Sequence, residues 1–153
     1  LDNKCVRYKN PRGYHQAPYI HTAVLRGLKP RTTYSYRPKA GSRFFRFTTP
    51  PAAGAVEEGE PFRIGVWADV GITNVSWTVM QQVRAARPEL VLLVGDYSYA
   101  DGWSSRWDIF GTLMEPLMAS VPTLGVPGNH EISEGRYQGV DWIHRYPMPY
   151  RQS

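Results

Sequence analysis

The chain's 153 residues, 42% of them hydrophobic and carrying a formal net charge of +5, suit one ordinary domain or parts of two. A single cysteine, Cys5, excludes an internal disulfide framework and a multi-cysteine zinc site. The basic residues are spread out, without the clustered stripe of a nucleic-acid surface, and no apolar stretch approaches the ~20 residues of a membrane-spanning helix.

Residues 1–49 read as β structure. Apolar and polar residues alternate at Val24 and Arg26, at Tyr34, Ser35 and Tyr36, and at Phe45, Arg46 and Phe47, with turn residues at Gly27, Pro30 and Gly41. Residues 50–60, rich in proline, glycine, alanine and glutamate and without an apolar period, read as a linker. From Pro61 the pattern changes. FRIGVWADVG is a strand ending in a polar turn. The following helix carries Val79, Met80, Val83 and Ala86 at helical spacing, with Asn74 as its expected N-cap and Pro88 beyond its end. ELVLLVGD is a near-continuous apolar run, the pattern of a strand covered on both faces. Trp107, Phe110, Met114, Leu117 and Val121 mark a second amphipathic helix, with a kink expected at Pro116. VPTLGVPGNHE supplies a third strand. Alternating strands and helices argue for an α/β layer with parallel strands.

In such a sheet the carboxyl ends of the strands share one edge, where ligands bind. Each of the three expected strands ends there in a polar cluster: Asp69 in ADVG, Asp96 and Tyr99 in GDYSYAD, Asn129 and His130 in GNHE. The intervals, 27 residues from Asp69 to Asp96 and 33 from Asp96 to Asn129, each hold one strand–helix unit. Carboxylates crowded together repel one another, and a multivalent cation relieves that repulsion. Oxygen donors favour hard cations, and an added imidazole also suits iron or zinc.

The ordered set D-x-G, G-D-x-x-Y and G-N-H-E resembles the purple acid phosphatases of the calcineurin-like metallophosphoesterase superfamily. The generic first motif is D-x-H. Here Gly71 stands in place of that histidine, and Tyr99 supplies the substitute donor that marks the purple subfamily. GLKPRTTY resembles the tyrosine-corner stretch of fibronectin type III domains, with Tyr34 as the corner. HRYPMPY, residues 144–150, resembles a segment of plant-type members. The resemblance implies a metallophosphoesterase α/β sandwich, represented by its N-terminal half over residues 61–153 and preceded by the end of a fibronectin-like β domain over residues 1–49. Asp69 and Tyr99 would bind iron(III), Asp96 would bridge, and Asn129 would bind a divalent iron, zinc or manganese. His130 would face the phosphate, and Glu131 belongs to the motif without being a ligand.

The family's three further metal-binding histidines, in V-x-x-H and G-H-x-H, have no counterpart among His15, His21, His130 and His144. The expectation is therefore a partial chain, cut at both ends, that hydrolyses phosphate monoesters only as part of its parent. A phosphodiesterase or nucleotide pyrophosphatase of the same superfamily, and a catalytically inactive truncated member, are the competing expectations. The implied partner is a small phosphorylated substrate, with neither nucleic acid nor membrane; the oligomeric state stays open. The resemblance also implies a secreted, vacuolar or lysosomal protein. NVS, residues 74–76, matches a glycosylation acceptor, a triplet common by chance.

Overall fold

A computed structural model describes residues 2–10, 14–55, 61–132 and 139–149. The later part of the expected linker, residues 56–60, and the last residue of the 144–150 segment lie outside the described residues.

The N-terminal region forms two antiparallel pairs. Strand β1 (Asp2–Val6) pairs with β2 (Ile20–Val24), and β3 (Thr33–Tyr36) with β4 (Phe45–Thr48). The period-two pattern explains the second pair. Register sets Tyr34 opposite Phe47 and Tyr36 opposite Phe45, so the rings stack across the strands at centroid distances of 5.8 and 5.5 Å. Such cross-strand aromatic pairs add up to about 1 kcal/mol each. The Tyr34 hydroxyl accepts a 2.9 Å hydrogen bond from the Lys29 N–H, tying the ring to backbone upstream of its own strand.

The second region alternates β5 (Ile64–Trp67), α1 (Asn74–Ala85), β6 (Leu90–Val94), α2 (Ser105–Met118) and β7 (Thr123–Val126). The short helices α3 (Asn129–Ile132) and α4 (Val140–Arg145) follow. The strands are parallel in the order β5-β6-β7. Helix α1 starts one residue earlier than its sequence suggests. Thr73, not Asn74, is the N-cap: its side chain accepts from the Ser76 N–H, and the Ser76 hydroxyl accepts from the Thr73 N–H. A reciprocal box outcompetes a single Asn cap because it satisfies two orphan donors. It also buries Ser76, the third residue of the NVS triplet.

Right-handed crossovers between neighbouring parallel strands put both helices on one face of the sheet. Met80 of α1 and Phe110, Leu113, Met114 and Leu117 of α2 accordingly pack over Val91 and Leu93 of β6. The other face is open among the described residues. It presents Ile64 and Val66 from β5, Val94 from β6, and Leu124 and Val126 from β7, all exposed. The apolar run of β6 had suggested cover on both faces. Only one layer is in place here, and the run marks what a second layer would bury.

Side-chain contacts join the two regions. Tyr36 donates to the Ala119 carbonyl at the end of α2 (3.0 Å), and Arg43 pairs with Glu115. Tyr8 donates to the buried Asp141, which also receives the Ser104 hydroxyl at 2.8 Å. Arg145 bonds both Tyr8 (2.7 Å) and Asp108 (2.7 Å). His144 stacks on the Tyr8 ring at 4.8 Å, a packing role that its sequence context did not reveal.

An open apolar sheet face drives association. Replacing Val66, Val94 and Val126 with threonine is expected to lower self-association in sedimentation velocity. Each exposed change should move stability by no more than about 0.5 kcal/mol in denaturant titration.

Candidate functional site

The three strand ends meet at one edge of the sheet, and backbone hydrogen bonds hold the first two together. The N–H groups of Asp69, Val70 and Gly71, just past β5, donate to the carbonyls of Gly95, Asp96 and Tyr97, just past β6, at 3.3, 2.9 and 2.8 Å. The pairing thus continues beyond both strands and carries Asp69 alongside the GDYSY loop. The Tyr99 hydroxyl donates to Asp69 Oδ1 at 2.6 Å.

The third strand end is locked by Glu131. Its buried carboxylate accepts from the backbone N–H groups of Asp96 (2.8 Å), Tyr97 (2.9 Å) and Gly128 (2.9 Å). The glutamate of GNHE, which the motif left without a role, clasps the loops after β6 and β7. Gly128 lies so close to the neighbouring loop that a Cβ there would come within 2.5 Å of Asp96 N and nearer still to its carboxylate. Only glycine permits that approach. The clasp brings the start of α3 against Asp96, whose Oδ1 accepts the His130 N–H at 3.1 Å. Asn129, an exposed residue, precedes that contact directly.

The His130 ring lies against Tyr99, centroids 4.4 Å apart, and its Nδ1 is 2.6 Å from Asp101 Oδ1. Asp101 had no role from sequence alone; its only signal was its place two residues beyond Tyr99 in the same loop. Tyr97, also without a sequence role, is a core residue, packed near Trp107, Phe110, Trp142 and Tyr146. Its phenol occupies the space that a side chain at Gly125 would need.

Four non-glycine residues at this edge hold positive φ: Asp69 (54°), Asp96 (53°), Tyr99 (49°) and Asp101 (47°). The left-handed region costs an L-residue of order 1–2 kcal/mol, and backbone held there tends to gather at functional sites. Electrostatics point the same way. The hydrogen bond to Asp69, with burial and the nearby charges of Asp69, Asp96 and Glu131, pushes the Tyr99 phenol up to about 12. The bond to Asp101 raises the His130 imidazole, against the opposing effect of burial. The edge is thus electron-rich and holds its protons tightly.

Sequence reasoning proposed Asp69, Asp96, Tyr99, Asn129 and His130, and the fold brings all five to this edge. Among the described residues no three His, Cys, Asp or Glu side chains gather closely enough to hold an ion by themselves. What gathers is mixed, two carboxylates with a phenol, and Asn129 stands next in sequence to His130, whose N–H meets Asp96. These are hard oxygen donors that fit a highly charged cation. Among the described residues neither Asp69 nor Asp96 is ion-paired to a lysine or arginine. A cavity of about 360 Å³, lined in part by Asp69, Tyr99 and Arg106, opens beside the phenol.

Residues 62–153 match the calcineurin-like phosphoesterase family. The chain belongs to that family. Its relatives include purple acid phosphatase 13 of Arabidopsis thaliana, 32% identical over 190 aligned positions covering 96% of this chain and 34% of that protein. Purple acid phosphatase 21 of the same plant is 37% identical over 78% of this chain and 26% of its own length. The phosphoenolpyruvate phosphatase of Allium cepa is 33% identical over 88% and 30%. A purple acid phosphatase from yellow lupin (Lupinus luteus) seeds shares the fold, with a TM-score of 0.78 over 97% of this chain and 33% of that one at 22% identity. The chain spans about a third of the length of these relatives. The purple acid phosphatase resemblance drawn from the motifs therefore holds, and the α/β region has the metallophosphoesterase fold.

Glu131→Ala would orphan three backbone donors. At about 1–3 kcal/mol for each unsatisfied group, the loss should reach several kcal/mol in chemical denaturation. Amide exchange at Asp96 and Tyr97 should accelerate before exchange in β6 does.

Proposed function

We propose that this chain carries part of the dinuclear metal centre of an acid phosphatase acting on phosphate monoesters. In this reading residues 61–153 are the N-terminal half of the catalytic domain, and residues 1–49 are the end of a fibronectin-like β domain. The observation that carries the first part is the Tyr99–Asp69 hydrogen bond of 2.6 Å beside Asp96. A phenol placed on a carboxylate at a strand end is what a metal site with tyrosine in place of the usual histidine requires. The β-domain assignment draws support from the hydrogen bond of the Tyr34 hydroxyl to upstream backbone, the contact a tyrosine corner makes.

In this reading Asp69, Asp96 and Tyr99 would hold iron(III), and Asp96 and Asn129 would hold a divalent iron, zinc or manganese. When bound, a metal pair supplies the charge that attracts phosphate and acidifies water for in-line displacement. The chain's own residues prepare that site. Asp69 and Asp96 provide the negative charge; backbone pairing after β5 and β6 sets Asp69 beside the Asp96 loop, and the Glu131 clasp holds that loop against α3. Tyr99, whose hydroxyl donates to Asp69, would bind as phenolate, since a trivalent cation would favour the ionised form more strongly than the neighbouring carboxylates disfavour it. His130, fastened by its backbone and ring, faces the phosphate at the rim.

Iron(III) added to the chain is expected to produce a visible phenolate charge-transfer band that Tyr99→Phe abolishes. A band that survives in Tyr99→Phe refutes the assignment of Tyr99. The further histidines of the family's centre are not among these residues. The chain alone is therefore expected to hydrolyse p-nitrophenyl phosphate negligibly with iron(III) and zinc supplied, and robust turnover would overturn the assignment of the missing ligands.

A further inference from the structure

The opposite edge of the sheet carries a second cavity, of about 550 Å³, and none of its lining residues belongs to the proposed metal centre. We infer that this cavity is a separate binding site for a small organic phosphate. Arginines would take the phosphate group, and a rigid apolar wall would take the organic body.

Strand topology fixes where the cavity lies. Arg63 directly precedes β5, Glu89 precedes β6 and Pro122 precedes β7, and all three line it. They stand a strand's length, roughly 15 Å, from the edge that bears Asp69 and Asp96. The β region closes the other side with Arg31, Thr49 and Pro51. A cavity of this size between two packed regions is a common setting for a small-molecule site. Phe62, Pro51, Pro88 and Pro122 supply its apolar wall.

Charge selects the ligand. Arg31, Arg63 and Arg87 line the cavity against one acid, Glu89, an excess of two positive charges. That excess matches a dianionic phosphate group better than a single carboxylate. Among the described residues no carboxylate is ion-paired with Arg63 or Arg87. Arg63 is already oriented: its Nε donates to the Arg87 carbonyl at 3.0 Å, and its backbone N–H donates to Glu89 Oε2 at 3.0 Å. The Glu89 N–H donates back to the Arg63 carbonyl at 2.8 Å. With Nε anchored, the Nη groups are kept for a pair of phosphate oxygens. Arg87 follows the C-cap of α1, Ala86, and holds φ 52°. Glycine is the usual residue at that position, so the turn itself gives no reason for an arginine there. Its side chain does.

The test titrates the metal-free chain with phenyl phosphate and follows the backbone amides by NMR. Saturable shifts are expected at Thr49, Arg63, Arg87 and Glu89, and not at Asp96, Tyr99 or His130. Arg87→Gly removes a guanidinium while relieving the positive-φ backbone, so the fold is kept, as the amides of Tyr97 and Gly128 report. It should weaken binding about tenfold or more, the worth of a hydrogen bond to a charged group. Arg37→Ala, at an exposed arginine stacked on Phe44, should leave the affinity unchanged. Inorganic phosphate lacks the apolar body and benzoate lacks the second charge, so both should bind more weakly than phenyl phosphate. The proposal is overturned by the absence of saturable shifts, by shifts confined to the Asp96 and His130 edge, or by undiminished affinity in Arg87→Gly. Equal affinity for inorganic phosphate or benzoate overturns it as well. Because no metal enters the measurement, its failure is separate from a failure of the iron titration.

Discussion

The site depends on one carboxylate that binds no ligand. Glu131 gathers the N–H groups of Asp96, Tyr97 and Gly128 onto its two oxygens, and with them the loops that follow β6 and β7. Parallel strands leave their terminal N–H groups without a ladder partner, and a buried donor without a partner costs about 1–3 kcal/mol. A single acidic side chain satisfies three such donors. In doing so it decides where the Asp96 carboxylate stands relative to α3. The positive φ of Asp96 and the bare Gly128 are the backbone's accommodation to that approach.

The remaining contacts of the site build outward from the clasp. On one side, pairing of the segment after β5 with the loop after β6 delivers Asp69 to the Tyr99 phenol. On the other, His130 is pinned by Asp96, Tyr99 and Asp101 in turn. Acidic and phenolic groups are concentrated where backbone geometry is least relaxed. A cation would relieve the crowding of negative charge there, and the hydrogen bond to Asp69, first among the causes, raises the Tyr99 phenol in the metal-free state.

The sheet that positions this edge is finished on one face only. Helices α1 and α2 bury Val91 and Leu93, while Val66, Val94 and Val126 stand exposed on the opposite side. The apolar alternation along β5 and β7 is therefore not a sign of a solvent-facing sheet. It is the pattern of a sheet with two apolar faces, one of them uncovered among the described residues. That agrees with a chain spanning about a third of its relatives' length.

Local periodicity and strand-end residue types were enough to order β5, α1, β6, α2 and β7 and to bring Asp69, Asp96, Tyr99, Asn129 and His130 to one edge, because parallel topology turns distant strand ends into neighbours. Short-range signals were less exact at boundaries: Asn74 reads as a cap, yet Thr73 wins through its exchange with Ser76. The task of Glu131, the partner of Asp101, the core position of Tyr97 and the stacking of His144 on Tyr8 came only from the folded chain. Each depends on a contact between segments far apart in sequence, or on burial that no local pattern encodes. Residue identity announces what a group can donate or accept; only the assembled backbone decides which group it meets.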